Sequence, residues 1–228
     1  MMSTSYNGWP ASATASAIGI DSTFKVAGHL FPGGVKKGDV STVFRFYLGN
    51  YHLRVESLAT DGKDEWGYSY RRNVNNPSQL SCHASGTACD VNAVKHPNGR
   101  RHTLSSVQVA QLRKIQKWVN GVIKWGGDFS TTPDEMHHEI HGNSTAVHAV
   151  AAKLNHQRFT KVLQRGVGSK AHPDPEVKKL QTWLGFTGTA VDGVFGTGTE
   201  AAVKRTQYKL AQAQTGKVTQ LLGFYVNP

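Results

Sequence analysis

Residues 134–141 read DEMHHEIH, which places three histidines and three carboxylates in eight positions. Imidazole is the commonest protein metal ligand, and a neighbouring carboxylate can take up or return a proton. The stretch therefore points to a metal centre with an acid–base group beside it. It does not fit the helical H-E-x-x-H pattern, in which two histidines one turn apart share a face. His138-Glu139 is followed by His141 one residue too early, and the i,i+4 pair His137/His141 has His138 where glutamate should stand.

Catalytic zinc takes three protein ligands and keeps a fourth position for water. One octapeptide seldom supplies all three with an open face, so partners are expected elsewhere. SCHASGTACDVN (81–92) offers His83 and Asp90, seven apart with Gly86 between them. Two extended segments joined across Gly86 would turn both side chains to one point. The candidate set is then His83, Asp90 and one histidine of 137–141. In an extended segment His137, Glu139 and His141 share one face, while His138 and Ile140 share the other. Cys82 and Cys89 flank candidate ligands by one position, so their thiols should point away from a metal. They are seven apart, which is neither a C-x-x-C site nor a disulfide framework, although a bridge forms if their strands pair.

These residues need a scaffold. Residues 1–36 are rich in Gly, Ser, Ala and Pro and read as an irregular lead-in. A helix is predicted from Asp39, its N-cap, with Val40, Val43, Phe44, Tyr47 and Leu48 at 3–4 spacing. SSVQVAQLRKIQKWVNG is the clearest helix, capped by Ser105 or Ser106 and closed by Gly121. GVIKW is a short strand. A second long helix is predicted from Ser144 to near Gly166. RGVGSKAHPDP (165–175) reads as a linker, and Asp174-Pro175 opens a small helical unit as N-cap and N1. The domains are thus expected at 1–165 and 176–228, joined by 166–175.

The 228 residues carry a net charge of +11, with 38% hydrophobic and 18% charged side chains. This describes a globular protein whose basic balance suits a polyanionic partner. No apolar run approaches the ~20 residues of a membrane span. The N-terminus lacks a basic n-region and an apolar h-region, so no signal peptide is expected. Basic residues form no block and no aromatic interleaving, and nucleic acid is not an expected partner.

SCHASGTACDVN resembles the S-x-H-x-x-G-x-A-x-D signature of the VanY-like D-alanyl-D-alanine carboxypeptidase family of zinc peptidases. WGGDFSTTPDEMHHEI (125–140) is similar to that family's second block: WGGD, an aromatic residue, a short spacer, then D-x-x-H-F-E-L/I. The NGWP start and the WGYSYR run resemble phage lysins of the same family. The resemblance implies an α+β fold, a small antiparallel sheet packed on helices, with Zn2+ held by His83, Asp90 and His137. It implies Asp134 as the catalytic carboxylate, with Arg71, or its neighbour Arg72, stabilising the oxyanion or a substrate carboxylate. Ser81 starts the motif as a substrate contact or as a turn-forming hydroxyl. His138 stands where the family carries phenylalanine. The alternative E-x-x-H frame through His138 stays open, as does a closed structural site with His138 or His141 as fourth ligand. The remaining histidines (29, 52, 96, 102, 148, 156 and 172) read as surface or packing residues.

DPEVKKLQTWLGFTGTAVDGVFGTGTEAAVKRTQYKL resembles the peptidoglycan-binding domain type 1, a small all-α three-helix module. Its hallmarks are V-x-x-L-Q-x-x-L (Val177 to Leu184), V-D-G-V-F-G (Val191 to Gly196) and a later Gln207. Val194 and Phe195 are expected to fill its core. Together the two resemblances imply a phage-type endolysin. Such an enzyme hydrolyses an L-Ala-D-Glu, D-Ala-D-Ala or D-Ala-diaminopimelate bond of bacterial peptidoglycan. A metal-stabilised cell-wall-binding protein without hydrolysis is the alternative. The lysin reading implies a monomer without stable membrane association, kept in the host cytoplasm until a holin releases it to the wall.

Overall fold

The computed structural model describes residues 3–59, 64–156 and 159–226. The chain separates into two compact units, Met1–Lys153 and Leu154–Pro228. The first is α+β, with small antiparallel sheets on helices; the second is all-helical.

The lead-in is more ordered than its composition suggests. Two-residue strands β1 (Ser3–Thr4), β2 (Pro10–Ala11), β3 (Ile20–Asp21), β4 (Lys25–Val26), β5 (His29–Leu30) and β6 (Val35–Lys36) pair as β1–β2, β3–β6 and β4–β5. Helix α1 (Asp39–Arg54) follows, with Gly38 rather than Asp39 at the N-cap. Val43, Phe44, Phe46, Tyr47, Leu48 and Tyr51 are fully buried, so α1 is the centre of the core rather than a one-sided surface helix. A hairpin, β7 (Arg72–Asn73) and β8 (Asn76–Leu80), precedes the motif region.

The central sheet is built from β9 (Ala88–Asp90), β10 (Ile123–Trp125) and β11 (His137–Ile140), in the order β10–β11–β9 and antiparallel throughout. Helix α2 (Ser106–Trp118) has a full capping box. Ser105 Oγ accepts from the Gln108 N–H, and the Gln108 side chain accepts from the Ser105 N–H. Helix α3 (Ser144–Asn155) is shorter than its apolar pattern predicts. The chain leaves it to enter the second unit, where Leu163 pairs with Val218.

The second unit contains α4 (Pro175–Trp183), α5 (Thr197–Lys209) and the short α6 (Gln220–Gly223). Residues expected to be a linker are built into it. The Gly166 N–H donates to the Phe195 carbonyl, and the Phe195 N–H to the Val167 carbonyl. Val177, Leu180, Val203 and Phe195 form its core, while Val194 is half-exposed. Two buried glutamines stitch its turns. Gln181 accepts from the Gly193 N–H at 2.9 Å and donates to Asp192, and Gln207 accepts from the Gly216 N–H at 3.0 Å. Each amide satisfies backbone that the tight turns leave without a helical partner.

Asp174 caps α4, accepting from the Glu176 and Val177 N–H groups at 2.9 and 3.0 Å. Burial opposes its charge. The Lys161 ammonium at 2.5 Å and the two N–H groups outweigh it and hold the carboxyl below the usual range. Asp174→Ala should cost about 1 kcal/mol, read as a lower urea midpoint for the second unit. The contribution is full above the unfolded carboxyl pKa of about 3.9 and fades as pH falls through the lower folded value. The gap between wild type and variant should therefore close in acid.

Candidate metal centre

Three donor atoms converge in the first unit. His83 Nε2 lies 3.2 Å from Asp90 Oδ1 and 3.2 Å from His137 Nδ1, and His137 Nδ1 lies 2.9 Å from Asp90 Oδ1. All three residues are buried. Ligand atoms about 2.0–2.1 Å from a tetrahedral zinc stand about 3.3 Å apart, so this triangle is a slightly contracted zinc face.

The local fold explains each position. Asp90 and His137 are directly paired across β9 and β11, which puts both side chains on one face of the sheet. His83 comes from a single 3-10 turn, Cys82–Ser85, rather than from the expected extended segment. Ser81 Oγ caps that turn by accepting the His83 N–H at 3.3 Å. Gly86 ends it at φ 67°, where a Cβ would lie 2.3 Å from Ile20 Cδ1 and 2.9 Å from the Lys36 nitrogen. A side chain there would push the turn off the β3–β6 pair.

A second ring of hydrogen bonds sets the tautomers. His83 Nδ1–H donates to the Gly67 carbonyl at 2.6 Å, and His137 Nε2–H donates to Glu139 Oε2 at 3.1 Å. With the outer nitrogens as donors, both inward-facing nitrogens can offer lone pairs to a cation held beside Asp90. Burial is the largest influence on His137 and lowers its pKa, yet Asp90 and Glu139 overcome it and push the imidazole up to about 10. Burial likewise works against the Asp90 charge, and His83 and His137 hold its carboxyl well below the usual range. A divalent ion with two neutral imidazoles, Asp90 and Glu139 sums to zero charge, so the donor set fits zinc. Sequence reasoning put Glu139 on the His137 face but gave it no role, and it missed Gly67.

His138 lies on the opposite face of β11, level with Cys89. Its ring packs edge-on against Tyr47 and Tyr51 of α1, and its Nδ1 meets the Tyr47 hydroxyl at 3.0 Å. Burial drives its pKa down to about 3, which keeps the ring neutral. His138 thus fills an aromatic position in the core, and the frame that would make it a ligand does not occur. His141 is exposed and outside the cluster. Cys82 and Cys89 are buried free thiols.

A cleft of about 220 Å3 opens over His137, lined among others by Tyr6, Arg71, Ser81, Phe129 and Asp134. Arg71 faces it, whereas Arg72 is exposed and donates to the Ser78 carbonyl. Gly126 lets Asp134 approach: a Cβ there would sit 2.3 Å from the Asp134 carbonyl oxygen and 3.1 Å from His137 Cβ. Asn98 donates to Asp134 Oδ2 at 2.9 Å, and Oδ1 is buried without a partner. Burial, the largest influence, raises the Asp134 pKa. Glu135, by contrast, is spent on structure, accepting from the His102, Thr103 and Leu104 N–H groups at 2.7–2.9 Å.

Residues 74–140 match the family described as D-alanyl-D-alanine carboxypeptidase, and residues 173–222 match "Putative peptidoglycan binding domain". No curated protein and no solved structure matches the chain. The first match spans all three donor residues. The donor triangle and the match over residues 74–140 together support a zinc metallopeptidase, followed by a unit similar to a peptidoglycan-binding domain.

Alanine at His83, Asp90 or His137 should abolish stoichiometric zinc binding, as measured by elemental analysis after gel filtration. His138→Phe should retain zinc, because it restores an aromatic ring to a core slot.

Proposed function

We propose that the protein is a phage-type endolysin that hydrolyses a peptide bond in the stem or cross-link of bacterial peptidoglycan. The bond is of the L-Ala-D-Glu, D-Ala-D-Ala or D-Ala-diaminopimelate type. The observation that carries this reading is a buried donor triangle whose His137 corner lines a cleft that also holds Asp134, a carboxylate with one unpartnered oxygen. A merely structural metal site has no use for that oxygen.

His83, Asp90 and His137 would hold the metal. When bound, zinc supplies Lewis-acid chemistry, polarising a carbonyl and activating water near neutral pH. Asn98 fixes one oxygen of Asp134, so Oδ1 is free to accept the proton of the attacking water. The same atom then returns the proton to the leaving amine, and its raised pKa suits both steps. Arg71 places a guanidinium in the cleft, where it stabilises the developing oxyanion or anchors a carboxylate of the peptide stem. Ser81 borders the same cleft, although its hydroxyl is already used to cap the turn that carries His83.

The second unit is read as a wall anchor that raises the enzyme's effective concentration at an insoluble substrate. Among the described residues no helix is long and apolar enough to cross a membrane. In this reading the enzyme is a monomer that waits in the host cytoplasm and reaches the wall through a holin.

Purified cell walls treated with the protein should release free amino groups but no new reducing sugar ends. Chelation should stop the release and zinc restore it, and mass spectrometry of the fragments identifies the bond. Asp134→Asn should keep its zinc while kcat falls about 10²–10⁴-fold, the size of a general acid–base contribution. An Asp134→Asn variant with full activity would overturn the mechanism. For Arg71→Ala, a raised KM at constant kcat assigns Arg71 to substrate anchoring, and a lowered kcat assigns it to the oxyanion.

A further inference from the structure

The segment around Tyr6 is tied to the strand that carries His137. Asn7 Nδ2 donates to the Ile140 carbonyl at 2.8 Å and to Thr87 Oγ1 at 2.9 Å, and Trp9 Nε1 donates to the Gly142 carbonyl at 3.1 Å. Ser5 Oγ reaches Ser85 Oγ at 2.8 Å, in the turn that carries His83. Between these anchors the Tyr6 hydroxyl donates to Glu139 Oε2, the same oxygen that receives His137 Nε2–H. Glu139 is 1% exposed, so no solvent competes for that oxygen.

The geometry points to Tyr6 as a positioning residue of the metal centre, acting through Glu139 to fix which nitrogen of His137 faces the metal. This inference rests on the metal centre described above and adds a chain of two hydrogen bonds to it. Neutral His137, the form that binds a metal, has two acceptors for its one ring proton: Glu139 beside Nε2 at 3.1 Å and Asp90 beside Nδ1 at 2.9 Å. With the proton on Nδ1, the imidazole satisfies Asp90 directly and closes the site to a cation. With the proton on Nε2, the Nδ1 lone pair is free to bind. Tyr6 tips this choice by pinning Glu139 Oε2 in front of Nε2. The lead-in therefore belongs to the metal site, although Tyr6 lies more than 130 positions from the strand it serves. Orienting partners of this kind are worth about 10–100-fold in metal affinity.

The test is zinc affinity of the full-length protein, measured by competition with a chromogenic chelator, alongside the melting temperature of the metal-free form. Tyr6→Phe deletes only the hydroxyl and should weaken zinc about 10-fold. Glu139→Gln probes the same link from its other end and should also weaken zinc. The double variant should bind no more weakly than Glu139→Gln alone, because the two residues form one chain. Ser105→Ala removes the cap of α2 without touching Tyr6 or Glu139, and should lower the metal-free melting temperature while leaving zinc affinity unchanged. Wild-type affinity in Tyr6→Phe, additive losses in the double variant, or an equal loss in Ser105→Ala would each overturn the assignment. A wild-type protein that binds no zinc would overturn the metal centre and this inference with it.

Discussion

Asp90 is a buried carboxylate flanked by two buried imidazoles whose outer nitrogens are already committed as donors. Burying a charge is expensive unless it is paired, and His83 and His137 are the groups that pair it. The pocket thus favours a positive charge at the point where the three donors meet. Everything else depends on the register that sets Asp90 opposite His137 across β9 and β11. A slip of one residue would turn His137 into the core and His138 into the cleft. Tyr47 and Tyr51 hold His138 on the other face and so guard that register from below.

The surrounding structure serves the same end at several scales. Ser81 caps the turn that presents His83, and Gly86 allows that turn to lie against the β3–β6 pair. Gly126 brings Asp134 beside the strand of His137, while Trp125 Nε1 donates to the Glu135 carbonyl at 2.8 Å and secures the other side of the same loop. Arg113 reinforces this block, forming an ion pair with Asp128 and lying over the Trp125 ring. The conspicuous WGGD run is therefore packing chemistry that aims a carboxylate. It takes no part in the donor set.

How much of this was legible in the sequence depends on how local each signal is. The period-2 alternation of a strand separates His137 from His138, and two spaced motifs identify His83 and Asp90. Helix α2 was legible from its cap, expected at Ser105 or Ser106 and found at Ser105. Tyr6, Gly67 and Asn98 carried no such signal, since nothing near them in sequence records which strand or loop they will meet. Glu139 was visible on the correct face, but its task depends on the ring orientation of His137. Propensity over-extended α3 because its apolar spacing continues past Asn155, where the chain turns into the second unit. The Gly- and Pro-rich stretch at 165–175 looks like a linker in composition, yet its backbone hydrogen-bonds to the Phe195 turn.

Zinc-edge X-ray absorption on the zinc-loaded protein reports directly which atoms surround an ion in the triangle. The account predicts a first shell of nitrogen and oxygen only, at about 2.0–2.1 Å, with outer-shell scattering from two imidazoles. A sulfur shell near about 2.3 Å would bring Cys82 or Cys89 into the site, and scattering from three imidazoles would bring in His138 or His141. Either result would contradict the donor set on which the mechanism rests.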